Sequence, residues 1–197
     1  EPLSISLYSV KRSIPLSAST PIAILGAGPI GLCTMLAARA MGAERVYITE
    51  KIPARIALAQ ELGATWTGNP DASNVVSEVG QAEPLGLSVV FECSGSPEAL
   101  DQAVEMLGRG GLLVITGIPD AHRISLNIDN LRRKELSVFN VRRQNETVKE
   151  SIELLASGRI NIDALITHRV PLSDAKHAFD LVADYADGVV KAMVVND

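Results

Sequence analysis

The sequence predicts an α/β domain built on a doubly wound parallel sheet. Three observations carry that prediction. From residue 21 onward, short β-branched runs alternate with helical stretches of roughly ten to thirteen residues, the rhythm of successive βαβ crossovers. Hydrophobic residues make up 47% of the 197 and aromatics only 4%, so the core must be built from Val, Ile, Leu and Ala, as in a sheet covered on both faces. A glycine-rich turn, Gly26-Ala27-Gly28-Pro29-Ile30-Gly31, separates the first apolar run from the first helix of this alternating series.

Taken in order, Pro21–Leu25 (PIAIL) reads as a strand and residues 29–41 as a helix rich in Ala, Leu and Met. Val46–Thr49 is a second strand, ended by Glu50. Pro53–Leu62 is a helix, with proline where a first turn tolerates it and Gly63 as its stop. A weaker unit follows, with a strand over Ala64–Thr67 and a helix near 72–79. Leu87–Glu92, the helix Pro97–Leu107 and the strand Gly111–Thr116 restore the pattern. Beyond Ile118 the rhythm loosens. A loop with a short helix is predicted over 119–135, a strand over Glu135–Val141 and a helix over Glu146–Ala156. The tail offers a strand (Leu165–Val170), a helix (Ser173–Tyr185) and a last strand (Val189–Val195).

Charge and composition exclude several function classes. A net charge of −5 gives no global attraction for phosphate backbones, so nucleic acid is not the expected partner. The clusters Arg132-Arg133-Lys134 and Arg142-Arg143 read as solvated helix ends or as side chains steering an anionic dinucleotide. No apolar run reaches the roughly 18 residues of a membrane span. Cys33 and Cys93 match no metal or disulfide spacing, and both read as reduced thiols in a cytoplasmic protein. His122, His168 and His177 are isolated from one another. Neither a Ser/His/Asp arrangement nor a GxxxxGK[ST] loop occurs, which removes hydrolase and kinase readings.

The turn carries the chemistry. A GxGxxG pattern alone is weak, but here it follows a strand, opens a helix and has an acid, Glu50, 19 positions after its third glycine. Gly26 permits the tight turn, Gly28 lets backbone approach a pyrophosphate, and Gly31 lets the helix lie close to the strand. The helix N-terminus then offers free N–H groups to the phosphates. Glu50 ends the second strand, where a carboxylate accepts the hydroxyls of an adenosine ribose and repels a 2′-phosphate, so NAD is favoured over NADP. Lys51 and Arg55 lie close enough in sequence to compensate a phosphate instead. Cys93-Ser94-Gly95 and Thr116-Gly117-Ile118 end the next two strands, on the carboxyl edge where ligands dock in such sheets.

At this point the sequence resembles the zinc-dependent medium-chain alcohol and polyol dehydrogenases, nearest to the sorbitol and threonine dehydrogenase branch. The resembling stretches are EPLSISLYSVKR, GAGPIGLCTMLAARAMGA, FECSGSPEAL, GRGGLLVITGIP and ITHRVPLSDAKHAFDLV, spread over almost the whole chain. The resemblance implies a Rossmann coenzyme domain over 19–160. It makes residues 1–18 a linker helix, and residues 161–197 a segment returning to a second, GroES-like catalytic domain. It assigns Gly26, Gly28, Ile30 and Gly31, with Pro29 between them, to the pyrophosphate turn, Glu50 to the ribose and Arg55 to the adenosine end, with Lys51 a further coenzyme candidate beside Glu50. It assigns Thr116, Gly117, Ile118, Phe139 and Asn140 to the backbone that frames the nicotinamide, while Cys93, Ser94 and Gly95 stay candidates from their place on the carboxyl edge. Sorbitol dehydrogenases commonly carry an arginine near Asn140, whereas here Arg142 and Arg143 stand just beyond. Glu1 resembles a glutamate that touches the catalytic zinc or its water.

In that family a Cys, a His and a Glu of an amino-terminal domain hold the zinc, so the resemblance implies a truncated chain with no catalytic residue of its own. The parent would be an NAD-dependent dehydrogenase of a polyol or secondary alcohol. Zinc would lower the alcohol's pKa as a Lewis acid, and a homodimer or homotetramer would be the assembly. Two alternatives stay open: a stand-alone NAD-binding module without catalysis, and a zinc-independent, NADP-linked reductase of the same superfamily.

Overall fold

The computed structural model describes residues 1–119 and 121–196. Asp120, inside the loop predicted over 119–135, and Asp197, at the end of the tail, lie outside the described residues.

Six parallel strands form the main sheet: β1 (Ile22–Leu25), β2 (Val46–Thr49), β3 (Trp66–Gly68), β4 (Leu87–Glu92), β5 (Leu107–Ile115) and β6 (Ser137–Asn140). Their order is β3-β2-β1-β4-β5-β6, two halves wound outward from β1 and β4, as the alternating pattern predicts. Period-two alternation splits the strand side chains between two cores. Ile22, Ile24, Ile48 and Phe91 face α1 (Pro2–Lys11), α2 (Pro29–Ala40), α3 (Pro53–Glu61) and α7 (Val148–Ala156). Ala23, Leu25, Val90 and Leu113 face α4 (Val75–Ala82) and α5 (Pro97–Met106), with α6 (Ile128–Arg133) at their margin. All four residues of β1 and of β2 are buried, which is why those strands lack the in–out polar alternation of a half-exposed sheet.

Several boundaries shift from the predicted ones for identifiable reasons. The Asn74 side chain accepts from Ser77 N and starts α4 there, rather than near 72. Glu146 has φ +55 and cannot join a helix, so α7 begins at Val148. Leu107 pairs with Leu87 before an irregularity in the ladder, which carries β5 back beyond Gly111.

The amino-terminal helix α1 packs on α2 and α7, burying Leu3, Leu7 and Val10 in the first core. Three of its serines are also buried and satisfied: Ser6 Oγ donates to the Ile30 carbonyl, Ser9 Oγ bonds Thr116 Oγ1 at 2.9 Å, and Ser4 offers its carbonyl to Thr147 Oγ1. The tail forms a separate two-stranded parallel sheet, β7 (Ile166–Pro171) with β8 (Lys191–Val195), covered by α8 (Ala175–Ala183). Leu165 and Val190 tie it to the first core.

The first basic cluster is locally committed. Arg132 and Arg133 pair with Asp129 one turn back, and Lys134 Nζ donates to the carbonyls of Val104, Glu105 and Leu107 at the end of α5. No helix among the described residues is long and apolar enough to cross a membrane.

Candidate functional site

Parallel strands deliver their carboxyl ends to one edge, and the crevice opens between β1 and β4, where the winding direction reverses. Gly26 leaves β1 at φ +100, a conformation that side chains resist, and its N–H donates to the Thr49 carbonyl at 2.8 Å. Gly28 then caps α2 and Pro29 occupies its first turn. Gly31 is fixed by packing: a Cβ there would lie 1.8 Å from the Gly26 carbonyl oxygen. The first N–H groups of α2 therefore point into the crevice without intrahelical acceptors, an arrangement suited to an anion.

A cleft of about 760 Å³ lies over this turn. Its lining brings together Gly26, Gly28, Pro29, Glu50, Lys51, Arg55, Cys93 and Ser94, eight of the residues singled out from the sequence. The opposite wall consists of Pro70 and Asp71 after β3 and of Ser96, Glu98, Ala99 and Gln102 at α5.

Glu50 stands at the centre of the polar chemistry. Its Oε2 accepts from Ala27 N at 2.8 Å, while Oε1 accepts from Lys51 N at 2.7 Å and Ile52 N at 3.0 Å. The carboxylate thus joins the end of β2 to the glycine turn. The two neighbouring cations are both engaged. Lys51 Nζ lies 2.8 Å from Asp71 Oδ1, an ion pair that raises the ammonium's pKa. Arg55 is buried, and its Nε and Nη2 both donate to the Val189 carbonyl, at 3.0 and 2.6 Å.

The remaining candidates lie elsewhere on the same edge. Gly95, Thr116, Gly117, Ile118, Phe139, Asn140 and Ile30 do not line this cleft. The Thr116 hydroxyl is taken by Ser9, the Arg12 guanidinium lies 4.1 Å from the centre of the Phe139 ring, and Ile118 is almost fully exposed. Phe139 and Asn140 pair with Val114 and Ile115, so these positions extend the edge past β5. Glu1 lines a second cavity of about 850 Å³, with Cys33, Arg143 and Lys191, which meets the first cleft at Pro29.

Sequence reasoning missed Glu92. This carboxylate is only 1% exposed, and its Oε1 accepts from Ser94 N, Ser94 Oγ and Gly95 N at 2.6, 2.7 and 2.8 Å. A Cβ on Gly117 would come within 2.4 Å of its Oε2, so the loops after β4 and β5 close around it. An acid ending a largely apolar strand was the available signal. Burial and this carboxylate push the Cys93 thiol above its ordinary range, and burial pushes Cys33 up to about 12. Neither sulfur is a ready nucleophile. Among the described residues no three His, Cys, Asp or Glu side chains are grouped to hold a metal ion, so a zinc site does not fit within them.

Comparisons with known proteins agree with this architecture. A family model described as zinc-binding dehydrogenase matches residues 29–157. The chain is 31% identical over 195 residues to the sorbitol dehydrogenase of Bacillus subtilis (strain 168), covering 98% of this chain and 55% of that protein. It is 34% identical over 188 residues to the L-threonine 3-dehydrogenase of Bacillus velezensis, covering 92% of this chain and 53% of that one. A zinc-binding dehydrogenase structure from Sinorhizobium meliloti 1021, bound to NADP, superimposes with a TM-score of 0.90 at 32% identity, over 99% of this chain and 57% of that one. The chain spans about half the length of the curated relatives it matches. With a six-stranded sheet of this order, a glycine turn at its switch point and these matches, the chain belongs to the zinc-binding dehydrogenase family.

Proposed function

We propose that the chain is the coenzyme-binding part of an NAD-dependent, zinc-assisted dehydrogenase that oxidises a polyol or secondary alcohol. The observation that carries this reading is the cleft in which Glu50, the α2 N-terminus and Arg55 converge. NAD, when bound, supplies the hydride acceptor. The chain's own residues bind and orient it. The turn offers N–H groups to the diphosphate, Glu50 offers carboxylate oxygens to ribose hydroxyls, and the carboxyl edge from Thr116 to Asn140 extends toward the nicotinamide end.

The choice of NAD over NADP rests on charge. A 2′-phosphate about 5 Å from Glu50 is repelled by about 3 kcal/mol per unit charge at an effective dielectric of about 20. Lys51 is held by Asp71, and Arg55, anchored on the Val189 carbonyl, turns its remaining nitrogen toward Gly28 in the glycine turn, so Glu50 carries the discrimination. One relative of known structure is bound to NADP, which makes the comparison of the two coenzymes the decisive test. Calorimetry on this chain is expected to give an affinity for NAD on the order of a hundredfold above that for NADP. Equal or reversed affinities overturn the assignment.

The division into a linker helix (1–18), a coenzyme domain (19–160) and a segment returning to a catalytic domain (161–197) belongs to the same proposal. So does zinc held outside the described residues, with Glu1 beside it. A homodimer or homotetramer is supported by β6, an edge strand with a part-exposed Val138. A cytoplasmic location is supported by two free cysteines.

A further inference from the structure

The tail contributes a wall to the coenzyme cleft. Val182, Tyr185 and Val190 line it beside the glycine turn, although they belong to the segment after the six-stranded sheet is complete. We propose that Tyr185 and the Val189 carbonyl form a seat that holds Arg55 toward the coenzyme diphosphate, so that the tail is a working part of the site. This rests on the dinucleotide reading above.

Arg55 is 8% exposed, and among the described residues it makes no ion pair with a carboxylate. A buried guanidinium lacking an anion is an expensive arrangement unless an anion arrives. Two of its nitrogens, Nε and Nη2, are spent on the Val189 carbonyl. Its carbon Cζ lies 5.3 Å from the centre of the Tyr185 ring, within cation–π range. The third nitrogen, Nη1, is the heavy atom nearest the space above Gly28, 3.8 Å from where a Cβ on that glycine would stand. The edge of the guanidinium left over by the tail therefore faces the phosphate-binding turn.

The seat itself is held under constraint. Tyr185 has φ +50 and Asp187 φ +48, conformations that non-glycine residues seldom adopt, and they persist because the loop is fixed at both ends. Gly188 sits so close to α3 that a Cβ would come within 2.7 Å of Ala54 Cβ, next to Arg55 in the chain. His168 Nε2 lies 3.2 Å from Asp187 Oδ2 and ties the loop back to β7. Lys51 is paired with Asp71, which leaves Arg55 as the cation of the lining that has no carboxylate partner among the described residues.

The test uses adenosine and ADP as probes on the full 197-residue chain, with affinities measured by calorimetry. Tyr185→Ala is expected to weaken ADP on the order of tenfold and to leave adenosine within about twofold. Tyr185→Phe, which keeps the ring, should match the parent chain. In an Arg55→Met background, Tyr185→Ala should have no further effect on ADP, because the residue acts through the guanidinium. Unchanged ADP binding in Tyr185→Ala, equal losses for adenosine and ADP, or independent multiplication of the two effects overturns the proposal. An ADP pattern as expected with no preference for NAD over NADP sinks the NAD assignment and leaves the seat standing. A parent chain that binds neither probe overturns both.

Discussion

Replacing Glu92 probes how the cleft loops are held. Its Oε1 gathers two backbone N–H groups and one hydroxyl from Ser94 and Gly95, all within 2.8 Å. Hydrogen bonds to a charged acceptor contribute about 1.5–3 kcal/mol each, and a buried donor left unmatched costs about 1–3 kcal/mol. Glu92→Ala strands two amide donors beneath the loop and opens a void, while the freed Ser94 hydroxyl reaches solvent. We expect a loss of roughly 3–6 kcal/mol, a large share of the 5–15 kcal/mol typical of a folded domain. Glu92→Gln keeps an oxygen in the same place and removes a buried charge, so its loss should stay near about 1 kcal/mol. Urea unfolding followed by the fluorescence of Trp66, the single tryptophan, reads both values. An alanine variant that loses less than about 1 kcal/mol would refute the clamp, and a glutamine variant as damaged as the alanine one would move the effect from acceptor geometry to charge.

Two further outcomes follow from the same geometry. Gly31→Ala drives a methyl group into the Gly26 carbonyl oxygen at 1.8 Å, so α2 must shift; we expect a loss of at least about 3 kcal/mol, or a Tm lower by about 6–12 °C, together with failure to bind NADH. An unchanged melting curve by circular dichroism with intact NADH affinity would contradict it. Burial and the hydrogen bond to Glu83 push the Tyr47 hydroxyl up to about 12 from its ordinary 10. The folded state then holds this proton where the unfolded state releases it, so stability is complete below about pH 10 and falls by up to about 2.7 kcal/mol toward pH 12. Tyr47→Phe should lack that alkaline decline, and an equal decline in the variant would show that another group causes it.

The sheet was legible because each strand and helix declares itself over a few neighbouring residues. Ile22–Leu25 is apolar throughout and Val46–Thr49 nearly so, rich in β-branched residues, and both read as central strands. The turn and Glu50 were legible for the same local reason. What escaped depends on partners far away in sequence. Glu92 looks like an ordinary strand end until the loops after β4 and β5 are seen closing over it. Tyr185 is separated from Arg55 by most of the chain, and nothing in its own neighbourhood marks it. Thr116 and Phe139 belong to the edge that the pattern indicates, yet α1 reaches across to occupy the hydroxyl of one and the ring of the other. The position of α1 on the sheet is a tertiary fact that helix periodicity alone does not contain.

The strand order also has a kinetic consequence. β1 is the first strand in sequence yet is flanked by β2 on one side and β4 on the other, and about sixty residues intervene before β4 begins. Contacts of such sequence separation close slowly, because the loop entropy must be spent before the pairing gains anything. The crevice between Gly26 and Ser94 therefore depends on closing a long loop of chain. A nucleotide seated in this crevice touches residues brought together only in the folded chain, so it stabilises the finished fold by mass action.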